Sequence, residues 1–282
     1  MFKTLTIAAV ALTVIAFAVP AHACPGCFQG IQLNGASLNG VSLNRDKADG
    51  TIPTGMRVLA IDTALAACSA AVFDSENGEI IASESQAMTR GHAEVLIPLI
   101  ARVMDQAKLD FAKIDRIAVT VGPGSFTGLR VGISAARGIS LATAKPAFGL
   151  TTLAVFAAPY IAKDDSVPVT AVIDARHEHV YMQVFGRGGR TLVAPRIASI
   201  PEAVRSAAVS QTAVVGSAAN LLAAAWPAGE PAPKFVEERP APDVAWVARL
   251  GVTAIEGQNS PKPLYLRTPD AQPQDAARLP RR

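Results

Sequence analysis

Val119-Thr-Val-Gly-Pro-Gly-Ser-Phe-Thr-Gly-Leu-Arg-Val-Gly-Ile-Ser-Ala-Ala-Arg-Gly138 joins a β-branched run to a glycine-studded helix through a turn that ordinary sequence does not need. Ile117 to Val121 has the apolar character of a strand buried on both faces. Gly122, Pro123 and Gly124 end it, and Ser125 or Thr127 can cap the following helix, since either hydroxyl can accept a backbone N–H of its first turn. Gly128, Gly132 and Ala136 recur at every fourth position and line one helix face with tiny residues. An interior glycine costs a helix about 1 kcal/mol relative to alanine, so the pair needs a compensating gain, and close approach of another backbone supplies one. Leu129, Ile133 and Ile139 flank this face, and Arg130, Ser134 and Arg137 form a polar stripe beside it. Such a face suits docking of another chain. The alternative is that it packs on the chain's own sheet and the arginines are solvated.

Outward from this stretch the order is α/β. Val58 to Asp62 and Cys68 to Asp74 read as strands, Asn77-Gly78 as a two-residue hairpin turn, and Ile80 to Ser85 as a third strand. A helix follows from His92 to Ala107, with Leu96, Leu99, Ile100 and Val103 at helical spacing and Pro98 expected to kink or restart it. Phe148 to Leu150 and a helix from Thr151 to Ile161 complete a first half. The second half repeats the theme with strands at Val167 to Asp174, Val180 to Phe185 and Leu192 to Ile197, and a short strand at Ala213 to Gly216. It closes with a helix from Ala218 to Trp226, a proline-rich loop from Pro227 to Pro242, and a helix from Asp243 to Glu256 with Asp243 as its cap.

The 282 residues are 50% hydrophobic and 17% charged, with a formal net charge of +3, enough apolar content for a large core. No basic run resembles the face of an autonomous nucleic-acid binder, so any RNA contact is shared with partners. Residues 1–23 have the layout of a secretory signal: Lys3, an apolar run from Leu5 to Val19, and Ala21-His-Ala23. That run is short for a membrane span. Cys24-Pro-Gly-Cys27 is an unassigned thiol pair, and residues 31–45 repeat in fives before a polar linker. The composition changes at Met56. The expected layout is therefore an appended or mis-started segment (1–23 signal-like, 24–55 low-complexity and linker), an N-terminal lobe 56–165, a C-terminal lobe 166–267 and a tail 268–282.

Several chemistries fail on their residues. The Gly122-Pro-Gly124 turn lacks the Gly-Lys-Ser/Thr of a P-loop and the glycine spacing of a dinucleotide fingerprint. Ser125 resembles a nucleophile elbow, but Pro123 stands where the motif needs glycine. His92-Ala-Glu94 begins a helix-face metal site whose second histidine would be at 96, where Leu96 stands. Asp174, His177 and His179 can cluster or can be solvated in a hairpin loop.

Ile61-Asp-Thr63, Gly91-His-Ala-Glu94 with Leu96 and Pro98, the run Val121 to Gly132, and Ile173-Asp-Ala-Arg176 through Val180-Tyr181 resemble the TsaB (YeaZ) family. This is the dimerisation subunit of the bacterial tRNA threonylcarbamoyladenosine complex, and the resemblance covers residues 56 to about 267. Ala64 stands where the family usually has serine, and His177 and His179 where arginine and glutamate are usual. The resemblance implies an actin-like ATPase (ASKHA) fold of two related α/β lobes, TsaD-like in its domain type, that has lost the paralogue's metal site. It implies a subunit without activity of its own, docking onto a catalytic TsaD paralogue that transfers threonylcarbamoyl to N6 of the adenosine beside the anticodon, with a TsaE-like ATPase completing the assembly. No metal or cofactor of its own is expected, with ATP and a metal ion in the partner subunits, tRNA met only through the complex, no membrane, and a cytoplasmic location unless residues 1–23 are processed, which would make it periplasmic.

The expected partner interface is His92, Glu94, Leu96, Gly128, Leu129, Arg130, Gly132, Ile133, Ala136 and Arg137, which leaves open a homodimer through the same face. A nucleotide cleft would use Asp62, Thr63, Gly122, Gly124 and Ser125. Gly132→Arg is expected to abolish docking without unfolding the domain. A glycoprotease-like hydrolase and an exported binding protein are the alternatives.

Overall fold

The computed structural model describes residues 55–255 and 260–267, together with a two-stranded ribbon in which β1 (Ser37–Leu38) pairs antiparallel with β2 (Val41–Ser42). The signal-like segment, the Cys24/Cys27 pair and the tail lie outside the described residues.

Two five-stranded sheets share one plan. In the first, β3 (Arg57–Asp62), β4 (Ala67–Asp74) and β5 (Glu79–Ala87) form an antiparallel meander. The chain then passes through α1 (His92–Ala107) to β6 (Arg116–Gly122), through α2 (Phe126–Thr143) to β7 (Ala147–Thr151), and into α3 (Thr152–Lys163). β6 and β7 join parallel on the other side of β3. The second half repeats this order with the meander β8 (Val169–Arg176), β9 (His179–Phe185) and β10 (Thr191–Ser199), then α4 (Ile200–Ala207), β11 (Ala213–Gly216), α5 (Ala219–Ala224), β12 (Phe235–Glu238) and α6 (Val244–Val252). β11 is parallel to both β8 and β12. The two related α/β lobes are thus present as one supersecondary pattern used twice.

The lobes are interlocked by their last helices. α3 follows the first sheet but lies chiefly on the second, and α6 follows the second sheet but packs on β3, β4 and β6 of the first. One core cluster accordingly joins Val58, Ala60 and Ala118 to Val244, Val247 and Ala248, and continues through Ala154 and Val155 to Val169, Ala171 and Ile173. At Gly251 the approach is so close that a Cβ would stand 2.5 Å from that of Ala118. α3 and α6 each pack in space chiefly on the other lobe's sheet. Both helices are apolar nearly all round, as a helix packed between layers must be.

Smaller differences have local causes. Ser75–Gly78 form a four-residue turn rather than a two-residue one, because Asp74 Oδ1 accepts the Glu76 N–H at 2.9 Å and pairs with Glu79 across the hairpin. Pro98 does not break α1, since it lies on the exposed face where the released carbonyl meets solvent. The loop expected over 227–242 holds β12, which aligns with β11 despite the prolines around it.

Candidate functional site

α2 is set by its first turn. The Ser125 hydroxyl caps it, accepting the Gly128 N–H at 3.3 Å. The loop that leaves β3 lies directly on this turn: the Ser125 N–H donates to the Ala64 carbonyl at 2.7 Å, and the Thr63 hydroxyl donates to the Gly128 carbonyl at 2.7 Å. A Cβ on residue 128 would stand 2.1 Å from the Thr63 carbonyl oxygen, and one on residue 132 would stand 2.4 Å from Thr63 Oγ1. The close backbone approach expected of the small-residue face is real, and its partner is this chain's own β3 loop.

Most of the small-residue face named for a partner interface is covered by this chain itself. Gly128, Leu129, Gly132, Ile133 and Ala136 are buried within the lobe, and the three apolar ones share a cluster with Ile61, Leu96 and Val119. They are not open to another chain. His92 is also buried, its Nε2 3.3 Å from the Leu65 carbonyl oxygen. Gly132→Arg would drive a long side chain into Thr63, so it tests folding and not docking. Glu94, Arg130 and Arg137 are exposed.

Of the residues expected at a nucleotide cleft, Asp62, Thr63 and Gly122 are buried, Gly124 is half-buried and Ser125 is exposed, at the joint between the β3 loop and the start of α2. Asp62 and Thr63 are fully buried, and a Cβ at Gly124 would stand 2.3 Å from the Ala64 carbonyl oxygen. Gly122 has φ +112°, ahead of a cis bond to Pro123, and a Cβ there would stand 2.9 Å from the Leu264 carbonyl oxygen. Asp62 Oδ1 accepts the Thr120 hydroxyl at 2.5 Å and the Ala64 N–H at 3.2 Å, whereas Oδ2 is buried with no hydrogen-bond partner among the described residues.

Burial therefore pushes the Asp62 carboxyl up to about 6, against the pull of its two donors. An acid raised on folding binds its proton more tightly in the folded state. Its contribution is complete below the unfolded value near 4 and is lost as pH rises to about 6. We expect wild-type stability to fall by roughly 3 kcal/mol from this group across that window, and Asp62→Asn to remove that part of the slope. Urea unfolding at stepped pH reads this, and parallel profiles for the two proteins would contradict it.

The open surface lies one helical row away. α1 and α2 run side by side over the first sheet and leave a groove of about 470 Å³ lined by Ala93, Leu96, Ile97, Phe126, Thr127, Arg130, Val131, Ser134 and Ala135. Ile97 is 56% exposed and Phe126 52%. Of the expected residues, only Leu96 and Arg130 line it. The missed ones follow a legible signal: Ala93 and Ile97 on α1, and Thr127, Val131 and Ala135 on α2, are i, i+4 rows adjacent to the buried rows. An apolar row beside an already complete core face is surplus to the core.

In the second lobe, His177 and His179 occupy the exposed β8–β9 hairpin. Arg176, His177 and Glu178 all have positive φ, between 51° and 62°, and His179 Nδ1 lies 2.6 Å from the carbonyl oxygen of His177. Asp174 Oδ1 accepts the Arg176 N–H at 2.7 Å. Among the described residues no group of three His, Cys, Asp or Glu is placed to hold a metal ion, and no helix is long and apolar enough to cross a membrane.

A family model described as TsaD, tRNA N6-adenosine threonylcarbamoyltransferase, matches residues 79–227. The tRNA threonylcarbamoyladenosine biosynthesis protein TsaB of Escherichia coli K12 is 35% identical over 132 residues, which are 47% of this chain and 56% of that protein. An uncharacterised protein of Mycobacterium tuberculosis H37Rv is 33% identical over 219 residues, 77% of this chain and 94% of the relative. Among solved structures, YeaZ from Pseudomonas aeruginosa aligns with a TM-score of 0.61 at 25% identity, covering 75% of this chain and 100% of that one.

Proposed function

Because this chain belongs to the TsaB (YeaZ) family, we propose that it acts in tRNA threonylcarbamoyladenosine synthesis as a docking subunit for a TsaD-type paralogue, contributing no catalytic group itself. The observation that carries this reading is the α1–α2 groove, an apolar surface with Ile97 and Phe126 more than half exposed. Paired helices with a central apolar strip and a polar rim form an interface that a second helix pair can complete. Arg130 and Arg137 supply the rim on the α2 side.

In this reading the chain is a structural counterpart of its partner. Among the described residues the Ser125 hydroxyl, which in sequence resembles a nucleophile, accepts the Gly128 N–H and so has a structural role as the cap of α2. ATP and a metal ion belong to the TsaD-type and TsaE-type subunits, tRNA is met through the assembled complex, and the site of action is the cytoplasm. The test is reconstitution: TsaD-type and TsaE-type proteins of the same organism, with tRNA, threonylcarbamoyl adenylate and ATP, are assayed with and without this chain. Modified adenosine is expected only when the chain is present. Equal yield in its absence would overturn the proposal.

A further inference from the structure

Residues 260–267 form no regular element, yet they are held along the first lobe by directed contacts. The Leu264 N–H donates to the Val121 carbonyl at 2.7 Å, and Arg137 Nη2 donates to the Pro261 carbonyl at 2.6 Å. Gly149 opens the notch they occupy, since a Cβ there would lie 3.1 Å from Pro261 Cα. At the far end, Arg267 Nη1 lies 3.5 Å from the Ala175 carbonyl oxygen in the second lobe. The segment is a strap running from α2 to the second lobe.

Tyr265 sits where this strap meets the groove. Its ring centroid is 5.5 Å from that of Phe126, and its hydroxyl accepts Arg130 Nε at 3.2 Å. The Arg130 guanidinium lies 3.7 Å above the Phe126 ring. All three side chains stay open to solvent, Tyr265 at 46%. Among the described residues Arg130 makes no ion pair, and its bond to Tyr265 uses Nε, one of five guanidinium N–H donors. An exposed cluster of two aromatics and one arginine, already ordered by mutual contact, has the composition of an interface hot spot.

We infer that the strap is part of the docking surface and that Tyr265 is a binding residue for the TsaD-type partner. The covering segment of that partner is apolar where it meets Ile97 and Phe126 and presents a carboxylate where it meets Arg130. This rests on the docking reading above, continues the same groove, and adds a surface that the helix pair alone does not provide. By holding Arg130 on Phe126, Tyr265 also reduces the side-chain freedom that binding would otherwise remove.

The test is titration calorimetry of the full chain against the TsaD-type protein of the same organism, comparing wild type, Tyr265→Ala, Tyr265→Phe and Ile97→Asp, with thermal unfolding of each alongside. Tyr265→Ala is expected to weaken binding by about tenfold with an unchanged unfolding midpoint, and Tyr265→Phe, which keeps the ring, to stay within about threefold of wild type. Wild-type affinity for Tyr265→Ala, with binding lost in Ile97→Asp, would overturn the inference and leave the docking reading standing. No binding by the wild-type chain would overturn both.

Discussion

The double substitution Ile97→Asp, Phe126→Asp is expected to weaken association with a TsaD-type partner by at least about 100-fold while leaving the fold intact. Both side chains are at the open groove and more than half exposed, so the core loses little when they go. Phe126 is the first residue of α2, where a carboxylate is favoured by the helix dipole. In a complex, by contrast, each carboxylate would be buried against apolar surface without a partner, a penalty of about 3 kcal/mol or more apiece. Calorimetric titration against the partner, with circular dichroism melting of each protein, separates the two effects. Undiminished affinity with both carboxylates in place would remove the groove from the interface.

A large stability effect falls on the glycine stripe, and its sign changes along a single helix. Gly128→Ala places a methyl group 2.1 Å from a backbone oxygen of Thr63, which cannot rotate away. The β3 loop must move, breaking the 2.7 Å bonds that tie it to α2. Overpacking of this kind outweighs the gain of about 1 kcal/mol in helix propensity and is expected to destabilise the chain by about 3 kcal/mol. Gly138, three turns further on, has nothing within 4 Å of its Cβ position. Gly138→Ala should therefore stabilise by up to about 1 kcal/mol. Denaturant unfolding of the pair checks both signs, and a neutral Gly128→Ala would contradict the close approach described here.

Much of this architecture is visible in the sequence because local signals agree with the tertiary outcome. The β-branched run before Gly122, the Ser125 cap and the apolar spacing of Leu96, Leu99, Ile100 and Val103 each specify an element without help from distant residues. Periodicity says which face of a helix is buried, not what covers it. The stripe at Gly128, Gly132 and Ala136 therefore reads equally well as a seat for another chain, although Thr63 covers it at Gly128 and Gly132. The exchange of α3 and α6 between lobes is hidden for a related reason: a helix that is apolar all round carries no mark of which sheet it serves. β12 is obscured by prolines and recognisable only through its pairing with β11.

The groove itself was half legible. Arg130 on the edge and Leu96 in the floor follow from helical spacing, whereas Ile97 and Phe126 gain their meaning only once the adjacent rows are seen to have completed the core. Tyr265 lies 135 residues from Arg130 and no local pattern connects them. That contact exists because Gly122 and Gly149 leave room for the strap.

The most direct measurement is size-exclusion chromatography with light scattering on the full chain, a TsaD-type protein of the same organism, and their mixture. A species carrying the summed mass of one copy of each, absent when Ile97 and Phe126 are both aspartate, is the predicted result. Two components eluting unchanged at their separate masses would contradict the docking role.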